Sequence, residues 1–229
     1  MTQFNHIAGV IFDLDGVITD TAQFHTQAWQ ALAAKLGVAW DVSLQNGLKG
    51  LSRMDSLALI LQHGQLTDHY SLAEKKQLAA EKNTHYLSLI QQLTPDDIFP
   101  GIRAFLDELK TNGYKISLAS ASKNAPTILR HLQLTDYFEK IVDPATLTHG
   151  KPDPEIFLRA AEIINLQPDQ CLVLEDATAG IAGINAAGET SLGVGDPNVL
   201  SAADMVFSNT ADITLANIQH RMTMTTTTH

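Results

Sequence analysis

Cysteine is almost missing from this chain. Cys171 is the only one, which rules out an intrachain disulfide. It lies in the apolar run Cys171-Leu172-Val173-Leu174 and reads as a small buried hydrophobe rather than a nucleophile. Charge is also sparse, at 17% of residues, and it leans acidic. Lys and Arg number 15 against 25 Asp and Glu, a formal net charge of −10. Nucleic-acid phosphates demand a basic footprint that such a chain lacks, so no nucleic-acid partner is expected. No run reaches the ~18 apolar residues of a membrane span. Met1 to His6 has no basic segment of the kind that opens a secretory signal. The expectation is a soluble, cytoplasmic, monomeric protein with no membrane partner. A Walker loop, a G-x-S-x-G elbow and a zinc pattern are absent, and Gly193-Val194-Gly195 stops short of a dinucleotide fingerprint.

What is present is a globular chain of 229 residues, 45% of them hydrophobic, enough for one large domain or two modest ones. Ile7 to Phe12 is apolar on both faces, as a central parallel strand should be. Further short apolar runs lie at 116–119, 140–142, 172–174, 191–194 and 205–207. Helical patterns at 102–109, 125–132, 155–164 and 177–187 separate most of them. This alternation predicts an α/β fold with a parallel sheet. Residues 21–93 break it with helices alone. Phe24, Ala28, Leu32 and Leu36 recur every fourth residue before Gly37, Ser52 to Gln62 precedes Gly64, and Ser71 to Glu74 is a capping box opening a long helix toward Leu93. The block reads as a small helical domain over the sheet, 21–93, inserted into a core of 1–20 and 94–229. The low-complexity tail from Met222 to His229 reads as frayed.

Four segments carry chemistry. Asp13-Leu14-Asp15-Gly16 closes the first strand with two carboxylates whose mutual repulsion a divalent cation or a shared proton would relieve. The bland alternative is an acidic surface turn. Glu175-Asp176 ends the strand at 172–174 and could complete an oxygen cage for Mg²⁺ with Asp13 and the Asp15 carbonyl, although Asp176 could equally cap the next helix. Ser120-Ala121-Ser122-Lys123-Asn124 puts hydroxyls and an ammonium before a helix start that favours anions, with a plain cap by Ser122 or Asn124 as the alternative. Lys151, held before Pro152, either screens a phosphate or is a solvated loop lysine. The preceding Thr148-His149-Gly150 matches no assignable pattern.

In order and spacing these segments resemble the phosphotransferases of the haloacid dehalogenase superfamily, along nearly the whole chain. The resemblance implies a Rossmann-like parallel-sheet core with an inserted all-helical cap domain. It implies Asp13 as nucleophile, Asp15 as general acid and base, Ser120 and Lys151 as phosphoryl holders, and Asp176 on Mg²⁺ with Glu175 in support. The cap resembles the β-phosphoglucomutase branch in Lys49, Gly50 and Arg53 of the loop Gly47 to Arg53, in Thr21, His25 and Trp29, and in Lys82 and Asn83. Ala121, Ser122, Lys123 and Asn124 match that branch as well. It implies a hexose phosphate substrate and a bisphosphate intermediate, whose distal phosphate Arg53 would grip with its planar fork. Lys49, Arg53, Lys82, Lys123 and Lys151 could then concentrate cations in one cleft of an acidic protein. Bland readings stand beside these: His25 as a surface histidine, Trp29 as packing, Lys82 as part of a solvent-facing run with Lys75 and Lys76. The rival functions are a sugar-phosphate phosphatase on the same scaffold and a catalytically silent sugar-phosphate sensor.

Overall fold

Gly9–Phe12 (β1) is buried along its whole length, and that burial puts it in the middle of a sheet. In the computed structural model, which describes residues 4–48, 51–138 and 140–225, the helices that follow are Ala22–Lys35 (α1), Val42–Gly47 (α2), Arg53–His63 (α3) and Leu72–Ile90 (α4). Next come Ile102–Thr111 (α5), Lys115–Leu118 (β2), Ala125–His131 (α6), Glu155–Ile163 (α7), Cys171–Glu175 (β3), Thr178–Ala187 (α8), Thr190–Val194 (β4), Met205–Phe207 (β5) and Leu215–Thr225 (α9). No helix among the described residues is long and apolar enough to cross a membrane. The chain divides into two compact units, Met1–Asp20 with Leu93–His229, and Thr21–Gln92.

The first unit is built on five parallel strands in the order β2-β1-β3-β4-β5. Strand alternation sends Ile11 and Val173 to one face, where they pack with Phe157, Ala160, Ile181 and Ile184 of α7 and α8. Phe12 points to the other face, against Phe105 of α5 and edge-on to Phe138 at 5.6 Å between ring centroids. With both faces covered, the central strands are buried along their length, which is why the sequence shows apolar runs rather than alternation. The strand expected at 140–142 is reduced to a single bridge between Ile141 and Leu118 at the sheet edge. A helix unforeseen in the sequence, α9, extends through Met222 to Thr225, so those tail residues are helical rather than frayed.

The second unit is all helical. Trp29, Leu32 and Ala33 of α1 pack with Leu57, Ile60 and Leu61 of α3 and Ala79 of α4. The Ser71–Glu74 capping box is formed in both directions. The buried stripe of α4 runs Ala79, Lys82, Tyr86, Ile90, with a lysine in an apolar row.

Candidate active site

The carboxyl ends of β1, β2 and β3 converge at one edge of the sheet, the place where open α/β sheets bind ligands. Asp13 follows β1 and its amide donates to the Leu174 carbonyl at 3.0 Å, which fixes the residue at the strand end. The chain then turns through Gly16, at φ +77°, whose amide donates to the Thr19 carbonyl at 3.0 Å. A Cβ on Gly16 would stand 2.1 Å from an Asp176 carboxylate oxygen, so only glycine allows that approach. On β3, Glu175 is fully enclosed. Its Oε1 accepts the Asp176 and Ala177 amides at 3.2 and 3.0 Å. Gly180 of α8 makes room for it, since a Cβ there would lie 2.1 Å from the Glu175 carboxyl carbon.

Lys151 joins the strands. Its ammonium donates to Asp13 Oδ1 at 2.6 Å and to Glu175 Oε2 at 2.7 Å. Burial works against the ammonium, but the two carboxylates outweigh it and hold Lys151 above its ordinary value. The unassigned stretch before it also finds a role. The Thr148 and His149 amides donate to Glu155 Oε2 at 2.9 and 2.8 Å, pinning the turn that presents the lysine.

Burial sets the acid chemistry. It raises Asp13 to about 6 despite the opposing charge of Lys151. Burial, followed by the Asp13 charge, raises Asp15 to about 7. Asp15 Oδ1 is buried without a hydrogen-bond partner. Asp176 keeps an exposed face, yet the protein packed around it and then the Glu175 and Asp13 charges raise it to about 8. Carboxylate oxygens of Asp13, Glu175 and Asp176 lie within 4.8 Å of one another. An all-oxygen set with an orphaned buried carboxylate beside it is the donor chemistry of a hard divalent cation. Asp176 does not cap α8, whose N-cap is Ala177. Ser120, just past β2, is buried, and its hydroxyl accepts the Ser122 amide at 3.2 Å. Ala121 and Lys123 are exposed beside it, and the Asn124 amide donates to Ser122 Oγ at 3.3 Å.

The helical unit holds a second polar cluster. Lys82 is 3% exposed, which overturns its reading as a solvent-facing residue. Its ammonium lies 2.8 Å from His25 Nδ1, 4.5 Å from the Trp29 ring centre and 5.0 Å from that of Tyr86. An ammonium only donates, so Nδ1 accepts and the imidazole carries its proton on Nε2. Burial, then the Lys82 and Arg53 charges, lowers His25 to about 3, keeping it neutral. His25 stacks on Tyr86 at 4.0 Å. Tyr86 escaped notice in the sequence, although its place four residues after Lys82 on one helix face was the available signal. Trp29 is a core residue. Arg53, in the first turn of α3, donates to Asn83 Oδ1 at 2.8 Å. Thr21, before α1, is buried with a hydroxyl that has no hydrogen-bond partner. Lys49 and Gly50 lie outside the described residues.

Comparison with known proteins places this geometry. A family model, haloacid dehalogenase-like hydrolase, matches residues 7–188. A Bacillus subtilis protein named β-phosphoglucomutase is 48% identical over 206 residues, 90% of this chain and 91% of that protein. A Thermotoga maritima phosphorylated carbohydrates phosphatase is 30% identical over 78% of this chain and 81% of its own. A crystal structure of β-phosphoglucomutase from Clostridium difficile superposes with a TM-score of 0.91 at 44% identity, covering 96% of this chain and 99% of that one. The family model spans most of the chain and the Bacillus relative nearly all of it, and the chain belongs to the haloacid dehalogenase-like hydrolase family.

Proposed function

We propose that this enzyme is a β-phosphoglucomutase. It interconverts β-D-glucose 1-phosphate and D-glucose 6-phosphate through phosphorylated Asp13 and a glucose 1,6-bisphosphate intermediate. The observation that carries this reading is 48% identity, over nine tenths of both chains, to a protein of that name.

The residue roles follow from chemistry. Asp13, raised only to about 6, is mostly ionised at neutral pH and is the nucleophile. Its carboxylate attacks phosphorus as the bond to the sugar oxygen breaks. Asp15, at about 7, is poised near the working pH and gives its proton to that leaving oxygen. In the return step Asp15 takes the proton of the other sugar hydroxyl, which attacks the aspartyl phosphate. Two neighbouring carboxyls separated in this way divide nucleophile from acid. Lys151 and Ser120 hold the transferring phosphoryl group, with Lys151 countering the charge on its oxygens. Asp13, Asp176 and the Asp15 carbonyl hold Mg²⁺. Glu175 supports them, holding Lys151 with one oxygen and the Asp176 and Ala177 amides with the other. When bound, Mg²⁺ supplies further charge neutralisation on the phosphoryl group.

The helical unit supplies sugar and distal-phosphate contacts. Arg53 takes the distal phosphate, with Lys49 and Lys123 in the same service. His25 offers Nε2–H as a fixed donor, and Thr21 offers its hydroxyl. A phosphatase needs no second phosphate holder, and this separates the two readings. The enzyme acts as a cytoplasmic monomer.

The test is ³¹P NMR of the protein with Mg²⁺ and β-glucose 1-phosphate, primed with glucose 1,6-bisphosphate. The expected result is conversion to glucose 6-phosphate with little inorganic phosphate. Inorganic phosphate as the main product transfers the chain to the phosphatases.

A further inference from the structure

The turn that presents Lys151 holds a second donor set, which the mutase chemistry leaves unused. His149, Asp153 and Glu155 each contribute one ligand atom, all within 4.8 Å of one another. The imidazole meets both carboxylates at ion-pair distance. His149 Nδ1 stands 3.6 Å from Glu155 Oε2 and 4.0 Å from Asp153 Oδ2, both beyond hydrogen-bond length. Two ligands at about 2.0–2.1 Å from a tetrahedral Zn²⁺ lie about 3.4 Å apart. The His149–Glu155 edge is close to that separation and the His149–Asp153 edge is longer, and the His149 side chain is 66% exposed.

The carboxylates are already aimed. Glu155 is oriented by the Thr148 and His149 amides. Asp153 Oδ1 accepts the Glu155 amide at 3.0 Å, which leaves Oδ2 toward the imidazole. Bound metals rely on such outer contacts to orient their ligands. An open cavity of about 430 Å³, lined by these three residues with Thr148, Leu158, Arg159 and Glu162, leaves space for water ligands.

The imidazole decides the class of ion. Mg²⁺ takes oxygen donors, as at the Asp13–Asp176 edge, whereas one imidazole with two carboxylates suits Zn²⁺ or a similar transition dication. We propose that His149, Asp153 and Glu155 form a Zn²⁺-class site that braces the Lys151 turn.

The test is calorimetric titration of ZnCl₂ into the full chain in saturating Mg²⁺, for wild type, His149→Ala and Asp153→Asn. Wild type is expected to show a Zn²⁺ event that His149→Ala weakens at least about tenfold and Asp153→Asn also weakens. Thermal melts in chelator check that both variants are folded, and wild type alone should gain melting temperature on adding Zn²⁺. His149→Ala should keep its Mg²⁺-dependent activity in zinc-free buffer. Titrations that coincide for wild type and His149→Ala would assign any zinc uptake to the catalytic carboxylates and overturn the proposal, as would no uptake by wild type.

Discussion

Glu189 precedes β4 at the amino end of the sheet, opposite the catalytic edge, and is 5% exposed, with neither carboxylate oxygen hydrogen-bonded among the described residues. Burial raises it from an ordinary 4.5 to about 8. The folded protein therefore holds this proton where the unfolded chain releases it. In that window the folded state binds more protons, so stability falls as pH rises from about 4.5 to about 8 and is flat on either side. At about 1.4 kcal/mol per pH unit the full span amounts to roughly 5 kcal/mol. Glu189→Gln keeps the shape and removes the charge. At pH 5 the variant should match wild type to within about 1 kcal/mol. At pH 8.5 it should be more stable by several kcal/mol, a melting-temperature gain of about 10 °C or more for a chain of this size. Other carboxyls titrate in the same range, so the readout is the difference between the two proteins across pH, by urea or thermal unfolding. Parallel pH profiles for both would refute the assignment of a buried, uncompensated acid. Burial, and next the Glu189 charge, pushes the nearby Cys171 thiol up to about 12, and this thiol should stay unreactive in both proteins.

Asp13→Asn should leave the melting profile close to native and abolish turnover, because an amide cannot form the aspartyl phosphate; residual wild-type-like activity in a contamination-free preparation counts against the nucleophile. Asp176→Ala should raise the Mg²⁺ concentration for half-activation at least about tenfold, and an unchanged Mg²⁺ titration contradicts its place in the metal set. Arg53→Ala should cost mutase turnover about 1.5–3 kcal/mol, the worth of a charge-assisted contact, while hydrolysis of a small acyl phosphate changes much less. Equal losses in both assays remove Arg53 from the distal-phosphate role.

The sheet was legible because central parallel strands bury both faces, so β1 and β3 appear in the sequence as unbroken apolar runs. Edges were harder: among the described residues 140–142 forms one bridge, between Ile141 and Leu118. Short α2, at six residues, is too brief for a period to show, and α9 runs into the polar threonine-rich tail. The core acids were legible only jointly, as carboxylates ending two apolar runs with Ser120 and Lys151 between them in sequence. The burial of Lys82 was not, because three lysines in one helix look alike until packing shows which faces inward. There, neutral His25 and two aromatic rings compensate the ammonium, a combination spread over α1 and α4 that local sequence cannot display.

The residues flanking the helical insertion are fastened to each other. Thr19 bridges Ile98 and its hydroxyl donates to the Asp97 carbonyl at 2.7 Å, while the Phe99 amide donates to the Ile18 carbonyl at 2.8 Å. The chain therefore leaves and re-enters the sheet unit through a clasp whose hydrogen bonds belong to that unit alone. Closure entropy grows only slowly with the length of an inserted loop, so the clasp is nearly indifferent to what it encloses. The insertion is thus a replaceable cassette: a short glycine-serine bridge in place of residues 21–92 should leave a sheet unit able to fold, and another helical cassette could be grafted there without redesigning the catalytic edge.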